Sequence, residues 1–388
     1  MFRRSSTTDF NYNQCDNSTG PFGWPDKFCM TDSNLVQSPI NLCGFSTSPD
    51  SLSISSPSSF TTSATWSFVN DGRYLKLINP SPALTIDSNA ITLNQLKSQT
   101  WNIGEIHIHV GRSDTEGSEH YIMGVQYGME IQVMLYNSQY SSYQSAIDSS
   151  SSTAIVGLSQ LYDVNAPGAE PTVLSDIAKA ASSATSSGAK MSTSFKLDDL
   201  FTGLNSKTYS DLFFQYSGGL TTPNCNAVVQ WVVMNTTVRV SSSTLQSLRD
   251  VQLPNGDKLS KYGNFRPIQP RNSRIIYSSK DLKSSAFFSS TYFNFPCPTY
   301  GIFQANFNCD IVHWWHARNL EIISIVLGGV LFLALLFICY LQSKLNELRE
   351  QEEDYYYEEE KYGTEMEPVP MQQGYGAQFV PEPMSSYQ

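Results

Sequence analysis

Histidine is scarce in this chain. Five occur in 388 residues, and three of them, His107, His109 and His120, fall between positions 107 and 120. Positive charge is scarce as well. Twenty-four Lys and Arg stand against 35 Asp and Glu, for a net charge of −11, with no Lys/Arg stripe to offset it. That balance excludes nucleic acid as a partner. No internal repeat is present, which excludes a solenoid or propeller array. The first thirty residues hold no apolar h-region, so no signal peptide is visible. The expectation is that the chain starts after one or that its targeting is unusual.

Long apolar runs are absent with one exception. Ile322–Leu341 is uncharged throughout, long enough to cross a bilayer of about 30 Å at 1.5 Å per residue. Trp314 and Trp315 precede it, where indoles favour the membrane interface. His313 and His316 beside them read as interfacial rather than as ligands. Lys344 and Arg349 follow the run but Arg318 precedes it, so the positive-inside rule orients it only weakly. Six of the seven cysteines lie before the run: Cys15, Cys29, Cys43, Cys225, Cys297 and Cys309. An even count on one side points to an oxidising compartment, with pairings that spacing alone leaves open. The sequons Asn17-Ser18-Thr19 and Asn235-Thr236-Thr237 lie on the same side.

The expected layout follows. Residues 1–280 form an extracellular or lumenal domain and 281–320 a juxtamembrane connector. A single transmembrane helix spans 321–342. An acidic, tyrosine-rich cytoplasmic tail, too polar to bury a core, covers 343–388. Protein partners are expected through the outer domain or the tail; the organelle stays open.

Within 31–280, short runs rich in Val, Ile, Phe, Tyr and Thr alternate with Ser, Gly, Asn and Pro. The pattern predicts a mainly β domain with a little helix. Strands are expected at 64–70, 74–78, 105–110, 130–136, 211–216, 228–234 and 274–277, and helices at 173–182 and 242–248. Serine-rich 47–63, 138–153 and 182–194 read as loops. On a strand, residues two apart share a face, so His107 and His109 point to one side. Glu130, Gln132 and Met134 do the same on a neighbouring strand. Two imidazoles and an amide could then converge on one metal ion.

Several blocks in fixed order resemble the alpha-class carbonic anhydrases over roughly residues 12–277. They are Gly20-Pro21-x-x-Trp24, QSPINL at 37–42, HIH at 107–109 with GSEH at 117–120, LTTP at 220–223 with Trp231, and NFRPIQP at 264–270. The resemblance implies a ten-stranded, mostly antiparallel twisted sheet with zinc at the base of a conical cleft, where a metal-activated water attacks carbon dioxide. It implies His107 and His109 as zinc ligands. It puts Gln132 where the family has its third histidine, so the ion is held weakly or not at all. Glu105 and Glu130 fall where outer carboxamide or carboxylate partners of the ligands stand. Thr221 and Glu119 match the pair that orients the attacking oxygen, and His120 a structural histidine. Met134, Leu220 and Trp231 match the pocket wall, and Tyr12, across three inserted residues, a tyrosine of the water network. Arg73 occupies the place of the histidine proton shuttle, and arginine cannot cycle a proton near neutral pH. The resemblance also implies a Cys29–Cys225 disulfide; elimination and proximity then leave Cys15–Cys43 and Cys297–Cys309 as candidate pairs. Two functions follow: a membrane-anchored relative whose hydration of carbon dioxide is lost or very weak and which serves binding or assembly, or an active anhydrase using His107, His109 and Gln132.

Overall fold

The computed structural model of the chain describes residues 10–279 apart from short gaps, the larger at 30–35, 79–84 and 202–212, and near the other end only 340–342 and 344–345. The chain divides into two units, Met1–Cys309 and Asp310–Gln388. The first carries the β structure. Of the second, the described residues are helical at 340–342 and 344–345. The expected connector and nearly all of the expected span lie outside the described residues, as do Cys15, Asn17, Cys297 and Cys309. Among the described residues no helix is long and apolar enough to cross a membrane.

Sixteen strands are described: β1 (Asn41–Leu42), β2 (Ser46–Thr47), β3 (Ser53–Ile54), β4 (Ala64–Asn70), β5 (Leu75–Ile78), β6 (Thr85–Ile86), β7 (Ile91–Thr92), β8 (Trp101–Val110), β9 (Tyr121–Ile122), β10 (Met129–Asn137), β11 (Ile155–Asp163), β12 (Lys190–Phe195), β13 (Phe213–Gly218), β14 (Val229–Met234), β15 (Val238–Arg239) and β16 (Tyr277–Ser278). Twelve join one sheet in the order β12-β4-β5-β8-β10-β11-β14-β13-β16-β2, with β15 beside β11 and β6 beside β8. The expected ten strands are thus the continuous path, and the two side pairings raise the count to twelve. Pairing is antiparallel except for β11 with β14 and β15, and β16 with β2. The sheet is therefore mixed, with an antiparallel majority.

Alternation explains the two buried faces. Ile131, Val133 and Leu135 on β10, with Val156 and Leu158 on β11, join one apolar cluster. Met134 on β10, Ile155 and Leu161 on β11 and Trp231 on β14 join a second on the opposite face. A strand buried on both sides reads as a nearly continuous apolar run rather than a two-residue rhythm. The helix Thr172–Ser183 buries Val173, Leu174, Ile177, Ala180 and Ala181, a helical spacing. It packs against the helix Ser242–Arg249, whose Ser241 caps the Thr244 N–H at 3.2 Å.

Four expectations need correction. Serine-rich 182–194 contains the edge strand β12, which pairs with β4 through Lys190–Phe195. Serine-rich 138–153 contains the helix Tyr143–Ile147, started by a Ser142–Ser145 capping box, and 47–63 contains the short helix Ser58–Thr61. The strand expected at 274–277 is confined to Tyr277–Ser278, because Arg271 and Arg274 tie the preceding turn together through each other's carbonyls.

Candidate metal centre

A β-bulge aims the site. Between β8 and β10, Val133 pairs with Ile106 and Leu135 with Ile103, so β8 carries one extra residue opposite Met134. Bulges of this kind redirect the residues that follow. Ile103 and Ile106 consequently both face the first core. Glu105, His107 and His109 turn to the other side. Gly104 makes the bulge feasible: a Cβ there would lie 2.7 Å from the Tyr143 ring and 3.2 Å from the Met134 carbonyl.

The register then brings the partners together. Gln132 stands opposite His107, and Glu130 opposite His109. The His107 and His109 rings are 6.3 Å apart, edge to face. His109 is fully buried, and its Nδ1 donates to the Asn264 carbonyl at 2.7 Å. Its Nε2 meets no partner among the described residues. Burial lowers the pKa of the ring, against the opposing pull of Glu130, the Asn264 carbonyl and Gln132, so the imidazole is neutral with its lone pair on Nε2.

Gln132 is held from behind. Its Nε2 donates to Glu119 Oε2 at 2.8 Å and to Glu130 Oε1 at 2.9 Å. Because the ionised Glu130 carboxylate only accepts, the amide cannot flip without losing that bond. Its Oε1 is buried without a partner among the described residues.

Glu130 is the hub beneath. It accepts from the backbone N–H of Glu119 and His120, from His120 Nδ1, from Gln132 and from Ser159 Oγ. Burial opposes its charge, but His120 and these donors hold its pKa at about 2. Burial and the nearby Glu130 charge push Glu119 up to about 7, against hydrogen bonds from Thr221, the Arg266 N–H and Gln132. The Thr221 hydroxyl thus donates to Glu119. His120 is structural: its Nε2 lies 2.7 Å from the Tyr216 hydroxyl, and its ring packs against Trp231.

His107 behaves differently. Its Nε2 lies 3.1 Å from Glu105 Oε2, and the other Glu105 oxygen accepts from Lys76 Nζ at 2.9 Å. Burial opposes ionisation of Glu105, but His107 and Lys76 lower its pKa to about 2. His107, Glu105 and Lys76 line a cleft of roughly 550 Å³ together with Phe10, Arg73, Tyr74, Tyr143, Leu220 and Asn224. The Arg73 guanidinium stacks over Phe10 at 4.8 Å. Tyr12 is buried against Trp24, with no partner for its hydroxyl among the described residues. Met134, Leu220 and Trp231 share the second apolar cluster, and Trp231 Nε1 donates to the Gly219 carbonyl.

The wall bearing Thr221 is anchored from outside by the Cys29–Cys225 disulfide. Cys43 is also disulfide-bonded, with a partner outside the described residues. Asn235 is half-exposed on the turn between β14 and β15. Sequence reading missed three site residues. Lys76 alternates with Leu75 and Leu77 and shows no sign of its target. Tyr143 sat in an expected loop. Asn264 lay in a recognised block, but nothing local tied it to His109.

The eukaryotic-type carbonic anhydrase family model matches residues 19–280, and the chain belongs to that family. It is similar to carbonic anhydrase 3 of Sus scrofa, 26% identical over 262 residues that cover 67% of this chain and 95% of that one. It is 30% identical to carbonic anhydrase 6 of Bos taurus over 193 residues, 44% of this chain and 52% of that protein. A carbonic anhydrase-like protein of Caenorhabditis elegans is 28% identical over 225 residues, 57% of this chain and 59% of that protein.

Two of the three donors suit the zinc ion typical of this family: His109 Nε2 and Gln132 Oε1 are buried atoms that lack a partner among the described residues. Buried polar atoms are seldom left so. The set is poorer than three imidazoles, and no group of three or more His, Cys, Asp or Glu among the described residues is placed to hold a metal.

Proposed function

We propose that this chain is a membrane-anchored carbonic anhydrase relative whose hydration of carbon dioxide is lost or very weak, and that it serves a binding or structural role in a membrane assembly. Gln132 carries the reading. Its amide is pinned by Glu119 and Glu130 and offers only a neutral oxygen. His107, His109 and Gln132 are the residues to hold zinc. When bound, the ion supplies the Lewis acidity that lowers the pKa of a ligated water to about 7 in three-histidine sites. A carbonyl oxygen is a weaker partner than imidazole for this borderline-soft ion.

The chain's own groups add to the deficit. Glu119 sits at about 7, so near neutrality it is only partly ionised and holds the Thr221 proton less firmly. Arg73 lines the cleft in place of a histidine shuttle, and an arginine side chain relays no proton near neutral pH. Proton removal therefore falls to water or buffer.

The alternative is an active zinc anhydrase using the same three residues, favoured by the Thr221–Glu119 bond. Metal analysis and stopped-flow carbon dioxide hydration of the purified protein separate the two. The proposal expects substoichiometric zinc and turnover at least 100-fold below that of carbonic anhydrases with three histidines, an order of magnitude set by known ligand-shell losses. One zinc per chain with brisk turnover establishes the alternative.

A further inference from the structure

We infer that the Lys76–Glu105 pair is a second determinant of metal affinity in this chain, independent of Gln132, because it holds the His107 Nε2 that would otherwise be open to an ion. This rests on the metal-poor reading of the same centre and names a different cause within it.

The observation is an asymmetry between two histidines on one strand face. His109 gives its Nδ1 hydrogen to a backbone carbonyl and keeps Nε2 open. His107 puts its Nε2 on the Glu105 carboxylate. An ionised carboxylate has no hydrogen to give. The hydrogen in that bond therefore sits on His107 Nε2, and the nitrogen has no lone pair to offer. A neutral ring must change tautomer and break a charge-assisted bond before Nε2 can ligate.

Lys76 fixes the arrangement. It stands opposite His107 in the β5–β8 register and takes the other Glu105 oxygen. Both charges are mostly buried, with side-chain exposures of 16% and 23%, so solvent loosens the pair little. Its two charges also offset one another, which leaves a cation entering the centre little net attraction to Glu105. The bulge at Gly104 turns Glu105 and His107 together to the site side of β8.

The test measures zinc affinity by competition with a chelator, using the full chain and Zn²⁺ alone. The variants are Glu105→Gln, the charge-balanced pair Lys76→Met with Glu105→Gln, and each of these combined with Gln132→His. Release of His107 is expected to tighten zinc binding about 10–100-fold with Gln132 intact, opposite in sign to the loss of about that size that follows when a partner on a ligand's other nitrogen is removed. The gain is expected to multiply with that of Gln132→His. Nitrogen-15 spectra of histidine-labelled wild-type protein without metal are expected to show His107 protonated on Nε2. Unchanged or weaker zinc binding in both Glu105 variants overturns the inference, as does a His107 protonated only on Nδ1. Brisk wild-type hydration overturns the functional proposal alone, since the Glu105 comparison is read from affinity.

Discussion

At the scale of single residues, the centre is defined by which atoms are paired. Glu119 and Glu130 lie within reach of one amide and have opposite fates. Glu130 collects five donors and stays ionised, whereas Glu119 is raised to about 7 by burial and by the charge of Glu130. The sign of the linkage follows. An acid whose folded pKa lies above its unfolded value of about 4.5 favours the folded state when protonated. Stability from Glu119 is thus present below about pH 4.5 and is lost as pH rises through 7. Glu130 acts in the opposite direction, adding stability as pH rises from about 2 to 4.5. Thermal melts are expected to decline between pH 4.5 and 7, and Glu119→Gln is expected to flatten that decline while lowering the melting temperature throughout. A second expectation concerns Gln132→Leu. It removes the donor shared by two buried carboxylates and is expected to cost about 2–4 kcal/mol in chemical denaturation, more at pH 8 than at pH 5.

At the scale of elements, the bulged strand β8 governs the site. Gly104 has no room for a side chain against Tyr143. Gly104→Ala is expected to cost about 1–3 kcal/mol through forced repacking and to perturb the Glu105–His107 contact, visible as a shifted His107 resonance. Much of this level was legible beforehand. The strand at 64–70 and the helices near 173–182 and 242–248 follow directly from alternation and helical spacing. The paired histidines of β8 and the Glu130-Gln132-Met134 face of β10 do so as well. β11 escaped because Ile155–Asp163 is buried on both faces and shows no polar rhythm. β12 escaped because an exposed edge strand of Lys, Met, Ser and Thr has the composition of a loop. The bulge and the Lys76–Glu105 pair escaped for a different reason: both depend on strand register, which no short window of sequence specifies.

At the scale of the whole molecule, the disulfide joins the irregular amino-terminal segment to the loop after Thr221, closing a separation of 196 residues. Its reduction is expected to cost about 2–5 kcal/mol. The melting temperature should fall by on the order of 10 °C, with no change in the reduced protein's ability to form β11 or β14 by hydrogen exchange. The proposed topology has its own test. If residues 1–280 face the lumen, Asn235 is open to a glycosyltransferase, and endoglycosidase treatment of protein from secretory cells is expected to shift its mobility. Asn235→Gln is expected to remove part of that shift, and digestion of the tail by external protease in sealed microsomes, with residues 1–280 protected, completes the assignment.

The supernumerary residue in β8 has a final implication for how this lineage can vary. Losing one position between Trp101 and Gly104 would not merely shorten a strand. It would exchange one face for the other along everything that follows, driving both imidazoles into the oily layer and turning Ile106 and Ile108 toward the polar centre. Chemistry at this centre therefore tolerates a changed letter far more readily than a changed count.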